Sequence, residues 1–215
     1  MRNFLKMKEP VNTWTHFIAF IASIGGLIFL ILLTRGSVSR LVAVTIYGTS
    51  LITLYGASSL YHWVKTNQRT QSFLQKLDHV SIYNLIAGTY TPVLSIGLSG
   101  AWRSGTLIAV WVLAITGMLL KLWFMGIPRY VSTAFYVVLG WFALIPFAQL
   151  VRNLPAVVMV LMIAGGIFYT LGAIIYATRC FDFFPKRFGF HEVFHLFVVA
   201  GSVTHFMMIL LIVNR

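Results

Sequence analysis

Three histidines and an aspartate fall where long apolar segments of this chain should meet one face of a membrane. His191 and His195 stand four residues apart in the run His191-Glu192-Val193-Phe194-His195, at the start of the last apolar segment. Four residues of α-helix turn through about 400° and rise about 6 Å, so the two imidazoles lie about 40° apart and can reach one ion. That spacing recurs in zinc sites. His62 closes the second apolar segment, with Ser58 one helical turn before it, and Asp78 opens the third. In hydrocarbon such groups cost several kcal/mol unless they are paired or bind a metal, so an ionisable cluster at membrane depth is read first as a functional site.

The segments that must position these residues follow from composition. Apolar residues make up 59% of the 215 positions and charged ones 9%, outside the balance of water-soluble domains. Charged positions bracket uncharged runs of 17 to 26 residues: Glu9 to Arg35, Arg40 to Lys65, Asp78 to Arg103, Arg103 to Lys121, Arg129 to Arg152, Arg152 to Arg179 and Glu192 to Arg215. A helix needs about 20 residues to cross the hydrocarbon core. The fourth run is short, but a snorkelling Lys121 would let its span continue to Phe124. Strands of an outer-membrane barrel would alternate with period two, which these unbroken runs do not. The expectation is an all-α membrane protein, a seven-transmembrane helix bundle in a single domain over residues 1–215. Its spans fall near 14–34, 41–63, 78–98, 104–124, 131–151, 154–178 and 190–213.

The formal net charge of +12 raises nucleic acid as a partner, but the basic residues are scattered one to three per connection, without a patch or an aromatic-interleaved stripe. They inform topology instead. With a cytoplasmic N-terminus, Arg2, Lys6, Lys8, Lys65, Arg69, Lys76, Lys121, Arg129, Arg179, Lys186 and Arg187 are inside, against Arg35, Arg40, Arg103, Arg152 and Arg215 outside. The positive-inside rule therefore sets the N-terminus cytoplasmic and the C-terminus extracellular. Under that topology His62, Asp78, His191 and His195 share one depth at the cytoplasmic face. The first segment has a basic start but no small-x-small cleavage site, and is expected to be retained. Cys180 is the only cysteine, which excludes a disulfide within the chain and a thiolate metal cluster.

Pro92 and Pro146 fall inside spans three and five and should kink them. Gly25-Gly26 and Gly165-Gly166 are read as sites of close helix packing. Trp14, Trp63, Trp102 and Trp123 lie near span ends, as aromatic belts do, whereas Trp111 and Trp141 are read as packing residues.

Three neutral imidazoles with a fourth position open form a catalytic type of zinc shell, in which bound water is acidified to a pKa of about 7. His62, His191 and His195 are the candidate metal ligands. Asp78 is the candidate general base; its competing reading is a helix-start carboxylate that complements the dipole and pairs with Lys76. Ser58 could hydrogen-bond the water, an oxyanion or a ligand histidine. His205 lies ten residues past His195, about 15 Å deeper, and cannot share that ion. His79 points about 100° away from Asp78, and His16 opens span one at the right face to support the site. The literal His-Glu-x-x-His pattern also admits an intramembrane metalloprotease with Glu192 as base. Such a site usually takes an acidic third ligand from farther along, and nothing acidic follows Glu192. A solvated Glu192, or one paired with Lys186, is the alternative.

Together these residues closely resemble the hemolysin III branch of the progestin and adipoQ receptor superfamily. The matching pieces run along the whole chain: Glu9-x-x-Asn12-x-x-x-His16, Ser58-x-x-x-His62, Asp78 with Gly88-Thr89-Tyr90-Thr91-Pro92, and His191-x-x-x-His195. The resemblance implies a zinc held by His62, His191 and His195, with Asp78 bridged to it through water. It also implies a cytoplasmic N-terminus, a multi-pass place in the cell membrane (for this branch a bacterial plasma membrane) and a membrane lipid as substrate or ligand. Adiponectin receptors and alkaline ceramidases share the constellation, which carries over hydrolysis of a lipid amide such as ceramide. In the family the residue after the first histidine of the last motif is not a fixed glutamate, which weakens Glu192 as a base. The leading reading is thus a zinc-dependent, ceramidase-like hydrolase of a lipid amide or ester. Its rivals are a pore-forming hemolysin or a receptor-like protein with a structural zinc. A pore should line one helix face with regularly spaced polar groups, and the polar groups here cluster at one end instead.

Topology is tested by single-cysteine labelling in a Cys180→Ser background. A cysteine at residue 70 should resist an impermeant reagent in intact cells while one at residue 214 reacts; labelling at residue 70 would overturn the shared-face argument.

Overall fold

The chain is described by a computed structural model over residues 7–124, 126–184 and 188–215. Arg2, Lys6, Lys186 and Arg187, used in the charge count, lie outside these residues, as does any pairing of Glu192 with Lys186. The described chain is helical: α1 (Pro10–Thr34), α2 (Val38–Trp63), α3 (Gln68–Gly97), α4 (Gly100–Trp123), α5 (Arg129–Gly140), a 3₁₀ turn (Phe142–Leu144), α6 (Phe147–Asn153), α7 (Ala156–Thr178) and α8 (Phe190–Val213). Among the described residues the only strand-like feature is one isolated bridge between Phe184 and Phe188.

Side chains are distributed inside out, as a lipid solvent demands. Ile18, Ile28, Leu32, Val112 and Val160 stand exposed on outward faces, while Asn12, His16, Ser58, His62 and His195 are buried. Apolar faces lose nothing to lipid tails, whereas polar groups must find partners inside the bundle. Five helices (α1, α2, α4, α7 and α8) are long and apolar enough to cross a membrane, and a sixth span results if α5 and α6 are one broken element bent by 51°. The remaining expected span falls on α3, whose 30 residues include Tyr83, Asn84, Thr89, Tyr90 and Thr91 and which is not among the helices of that apolarity. The chain is a multi-pass membrane protein.

Two boundaries differ from expectation in ways that affect the site. The polar stretch Lys65 to Lys76 is largely helix rather than connection. Asn67 caps α3 by accepting a hydrogen bond from the Thr70 N–H at 2.9 Å, and the residues that follow, such as Gln68, Arg69, Gln71 and Leu74, are adequate helix formers. Asp78 therefore sits ten residues into α3 and cannot serve as its N-terminal carboxylate; nor does it pair with Lys76, since the described ion pairs are Lys8–Glu9 and His62–Glu9. Lys121, expected to reach out for water, instead turns inward and is 6% exposed. The prolines also part ways. α3 runs through Pro92 without interruption, whereas Pro146 stands at the break between the 3₁₀ turn and α6. The broken ladder there is served by Tyr90, whose hydroxyl donates to the Gly140 carbonyl at 2.5 Å and accepts from the Ala143 N–H at 3.1 Å.

Successive helices pack as neighbours from α1 to α4, and α7 lies against α8. α8 then returns against α1 and α3, so the first and last helices meet. Small residues set the closest approaches. Gly26 and Gly165 face Phe206 and His205, whose rings occupy the space a Cβ would need, but Gly25 has open space and Gly166 only ordinary contact with Trp141. One residue of each expected pair thus does the packing. At Gly88 the Ser50 side chain of α2 fills the Cβ position, so this glycine sets the α2–α3 separation. Trp111 and Trp141 pack as expected, donating to Thr91 Oγ1 at 3.1 Å and Thr170 Oγ1 at 2.9 Å.

Gly88→Ala should destabilise the bundle by about 1–3 kcal/mol, the usual result of overpacking. Gly25→Ala should be neutral or stabilising by up to about 1 kcal/mol through helix propensity. Thermal unfolding of both variants in one detergent checks the pair, and equal melting temperatures would refute the assigned contact.

Candidate metal centre

His62 comes from the last turn of α2, and His191 and His195 from the first two turns of α8. Their rings form a near-equilateral triangle: centroids lie 5.1 Å apart for His62–His191, 4.9 Å for His62–His195 and 4.8 Å for His191–His195. Each ring offers one nitrogen within 4.8 Å of those of the other two, so the three could hold a metal ion. His62 and His195 are 1% and 2% exposed. Each ring also carries one buried nitrogen with no hydrogen-bond partner: Nε2 of His62, Nε2 of His191 and Nδ1 of His195. Orphaned buried polar atoms are uncommon and costly. Three of them converging in this way fit a cation that accepts all three lone pairs.

The free nitrogen of His62 is fixed by what holds the other one. His62 Nδ1 lies 2.6 Å from Glu9 Oε2. A carboxylate only accepts, so Nδ1 carries the proton and Nε2 presents its lone pair, the carboxylate–histidine arrangement found behind metal ligands. Glu9 itself is set by two backbone hydrogen bonds, Lys8 N–H to Trp63 O at 3.1 Å and Glu9 N–H to His62 O at 3.0 Å. The Asn12 amide donates to Glu9 Oε2 and to Glu192 Oε1, both at 2.9 Å. Glu192 Oε2 accepts from the Gly189 N–H at 2.8 Å, capping α8. One polar chain thus ties the end of α2 to the starts of α1 and α8. Burial pushes the Glu9 carboxyl up, but the hydrogen bonds from His62 and Asn12 and the Lys8 ammonium act against it and hold the group below its ordinary value. A depressed carboxyl contributes stability that is present above its ordinary value near 4.5 and lost only as pH falls through the lowered one. The acceptor for His62 therefore survives mild acidification.

Asp78 and Ser58 meet the histidines from α3 and α2. Ser58 is buried one turn before His62, and its hydroxyl lies beside the Asp78 carboxylate, which also stands near His62. Ser58, Asp78, His191, His195 and His16 all line one end of a cavity of about 460 Å³. That volume falls in the range of ligand sites. The cavity runs between the helices past Leu85, Val93, Met162 and Met208. His205 lines it too but stays outside the triangle, close to the Met162 carbonyl at 3.2 Å. His16 stacks on His195, with centroids 3.7 Å apart and planes 11° from parallel.

The structure brings His62, His191 and His195 together, and it places Ser58 and Asp78 in the lining of the cavity that His191 and His195 also line. It adds two residues that spacing did not expose. Glu9 lies 53 residues from its partner, so no periodicity links them; its place in the motif with Asn12 and His16 was the only signal. His79, set aside as pointing away, also faces the cavity, because the wall wraps around α3 widely enough to include neighbours 100° apart. Glu192 is engaged at both oxygens, by Asn12 and by the helix it caps, rather than turned to the triangle.

Comparisons with known proteins agree along nearly the whole length. The chain is 38% identical to the hemolysin-3 of Bacillus cereus, covering 98% of this chain and 93% of that one. It is 36% identical to the hemolysin-3 homolog of Bacillus subtilis (strain 168), covering 96% and 95%. A more distant likeness, 27% identity, extends to the adiponectin receptor protein of Drosophila melanogaster, over 92% of this chain and 49% of the receptor. The family model described as Haemolysin-III related matches residues 4–206, and the chain belongs to that family.

Proposed function

We propose that the protein is a zinc-dependent hydrolase of a lipid amide or ester in the cell membrane, with the metal held by His62, His191 and His195. The observation that carries this reading is the triangle of His62, His191 and His195, each with an unpartnered imidazole nitrogen, of which His191 and His195 line a largely apolar cavity. Neutral nitrogen ligands without thiolates suit zinc, and three of them leave a position for substrate chemistry. When bound, such an ion polarises a carbonyl and lowers the pKa of water to about 7.

The chain's own residues then take definite roles. Asp78, the one carboxylate lining the cavity, would take a proton at the reacting centre. Ser58 is placed to donate its hydroxyl hydrogen to oxygen that becomes negative there. Glu9 keeps the His62 ring in the tautomer that frees Nε2. The largely apolar walls would accept acyl methylenes, each worth about 0.8 kcal/mol when removed from water. Glu192, with both oxygens committed to structure, is a poor candidate for the base of a metalloprotease.

Purified protein should carry about one zinc per chain, as three-histidine sites do. Each of His62→Ala, His191→Ala and His195→Ala should empty the site, Glu9→Gln should weaken affinity about 10–100-fold, and His205→Ala should leave occupancy unchanged. Elemental analysis checks all five. Stoichiometric zinc in the triple alanine variant would remove the site.

For the chemistry, Asp78→Asn should keep metal and fold yet lower turnover about 10²–10⁴-fold, the usual cost of losing a positioned base. Glu192→Gln should cost some stability and leave the rate within a few-fold. Fatty-acid release from ceramide-like and glycerolipid substrates gives the readout. The reverse pattern would favour a metalloprotease-type base. No turnover on any lipid, together with lysis of erythrocytes by zinc-free protein, would replace the hydrolase with the pore-forming activity that the names of the Bacillus relatives suggest.

A further inference from the structure

Two cations line the cavity against a single carboxylate, that of Asp78. Lys121, near the end of α4, is 6% exposed, lines the cavity and donates from Nζ to Ser132 Oγ at 3.1 Å. Arg129 begins α5 three residues before Ser132 and lines the same cavity. Its guanidinium lies over the rings of Tyr176 and Phe190, at 5.2 and 5.4 Å, and donates to the Tyr176 carbonyl at 3.3 Å. Those two rings stand 5.6 and 6.2 Å from the His191 ring, which puts Arg129 at the metal end.

The chain has four carboxylates, and their places are all known. Glu9 is bound to Lys8 and His62, and Glu192 to Asn12 and Gly189; neither lines the cavity. Asp182 is exposed, with its Oδ1 beside Gly189 at the start of α8, and does not line the cavity. That leaves Asp78 as the single negative group facing two positive ones. In a low-dielectric cavity an unanswered charge is expensive unless it is paired and hydrogen-bonded. Lys121 could have avoided the cost, because α4 ends two residues later and its long stem would reach past the helix end. It is turned inward instead, pinned by Ser132.

We propose that Lys121 and Arg129 form an anion site at the metal end of the cavity, which receives the phosphate of a lipid headgroup while the acyl chain lies along the apolar wall. A guanidinium fork and an ammonium point charge are the two side chains suited to a phosphate. The largely apolar lining beyond them argues for a lipid as its source rather than free phosphate. This rests on the cavity being the lipid site proposed above, and it selects phosphate-bearing lipids over neutral ones of the ceramide kind.

The test is binding to the purified, metal-loaded full chain in detergent, read by native mass spectrometry. It compares a monoacyl glycerol phosphate with the monoacyl glycerol of the same chain length. The phosphate lipid should bind at least about tenfold more tightly, since one charge-assisted hydrogen bond is worth about that factor. Lys121→Gln and Arg129→Gln should each erase most of this preference without changing neutral-lipid binding or metal content; Arg129→Lys should retain part of it. Equal affinity of the unaltered protein for the two lipids would overturn the proposal, a result that needs no variant to fold. Displacement of the lipid by equimolar inorganic phosphate would overturn it as well, by making free phosphate the ligand. Binding and turnover separate the two readings: preferred phosphate-lipid binding without hydrolysis leaves this site standing and removes the hydrolase, whereas hydrolysis without headgroup preference does the opposite.

Discussion

Three buried imidazole nitrogens without partners, drawn together from two helices, are the constraint around which the rest of this molecule is arranged. Leaving each unsatisfied costs on the order of 1–3 kcal/mol, and a helical bundle of marginal stability does not accumulate such losses at one point without something to offset them. The surrounding architecture makes sense as the support that keeps those nitrogens converged. α8 supplies two of them by helical spacing alone. The third comes from α2, and α1 links the two helices through the polar chain from Glu9 through Asn12 to Glu192. Closure of the bundle, with α8 packed back against α1, is what makes that chain possible.

The cavity is the complement of this rigid end. Where the triangle is fastened by short polar contacts, the space beyond it is bounded by aliphatic and aromatic side chains and by the broken α5–α6 element. The break would expose backbone groups in a place without water, and Tyr90 serves two of them with one hydroxyl. A helix interruption beside a cavity is tolerated at membrane depth because neighbouring side chains can re-satisfy its backbone. Charge is divided in the same way: Glu9, which orients His62, stands outside the cavity, whereas Lys121 and Arg129 line it with Asp78.

Much of this was legible in the sequence, for identifiable reasons. Apolar runs mark helices in lipid because the solvent leaves few alternatives for the backbone, so α1, α2, α4, α7 and α8 could be placed closely. α3 was harder. Its first ten residues are mostly polar and read as a connection, but an Asn67 cap and good helix formers extend the helix, and hydropathy does not register either signal. His191 and His195 were readable because four residues fix an angle. Their meeting with His62 followed from charge bias, which sets which span ends share a face. The inward Lys121 and the Glu9–His62 contact were not readable, since each depends on where a distant backbone lies, on Ser132 in one case and on the end of α2 in the other.

The two backbone hydrogen bonds that join residues 8 and 9 to residues 62 and 63 have a mechanical consequence. They splice residues 8 and 9 onto the support of the triangle, so the entry to α1 and the end of α2 behave as one piece. A displacement of Glu9 would reach the His62 ring directly through the 2.6 Å contact between them, which ties the geometry of the candidate metal site to the way the chain enters its first helix.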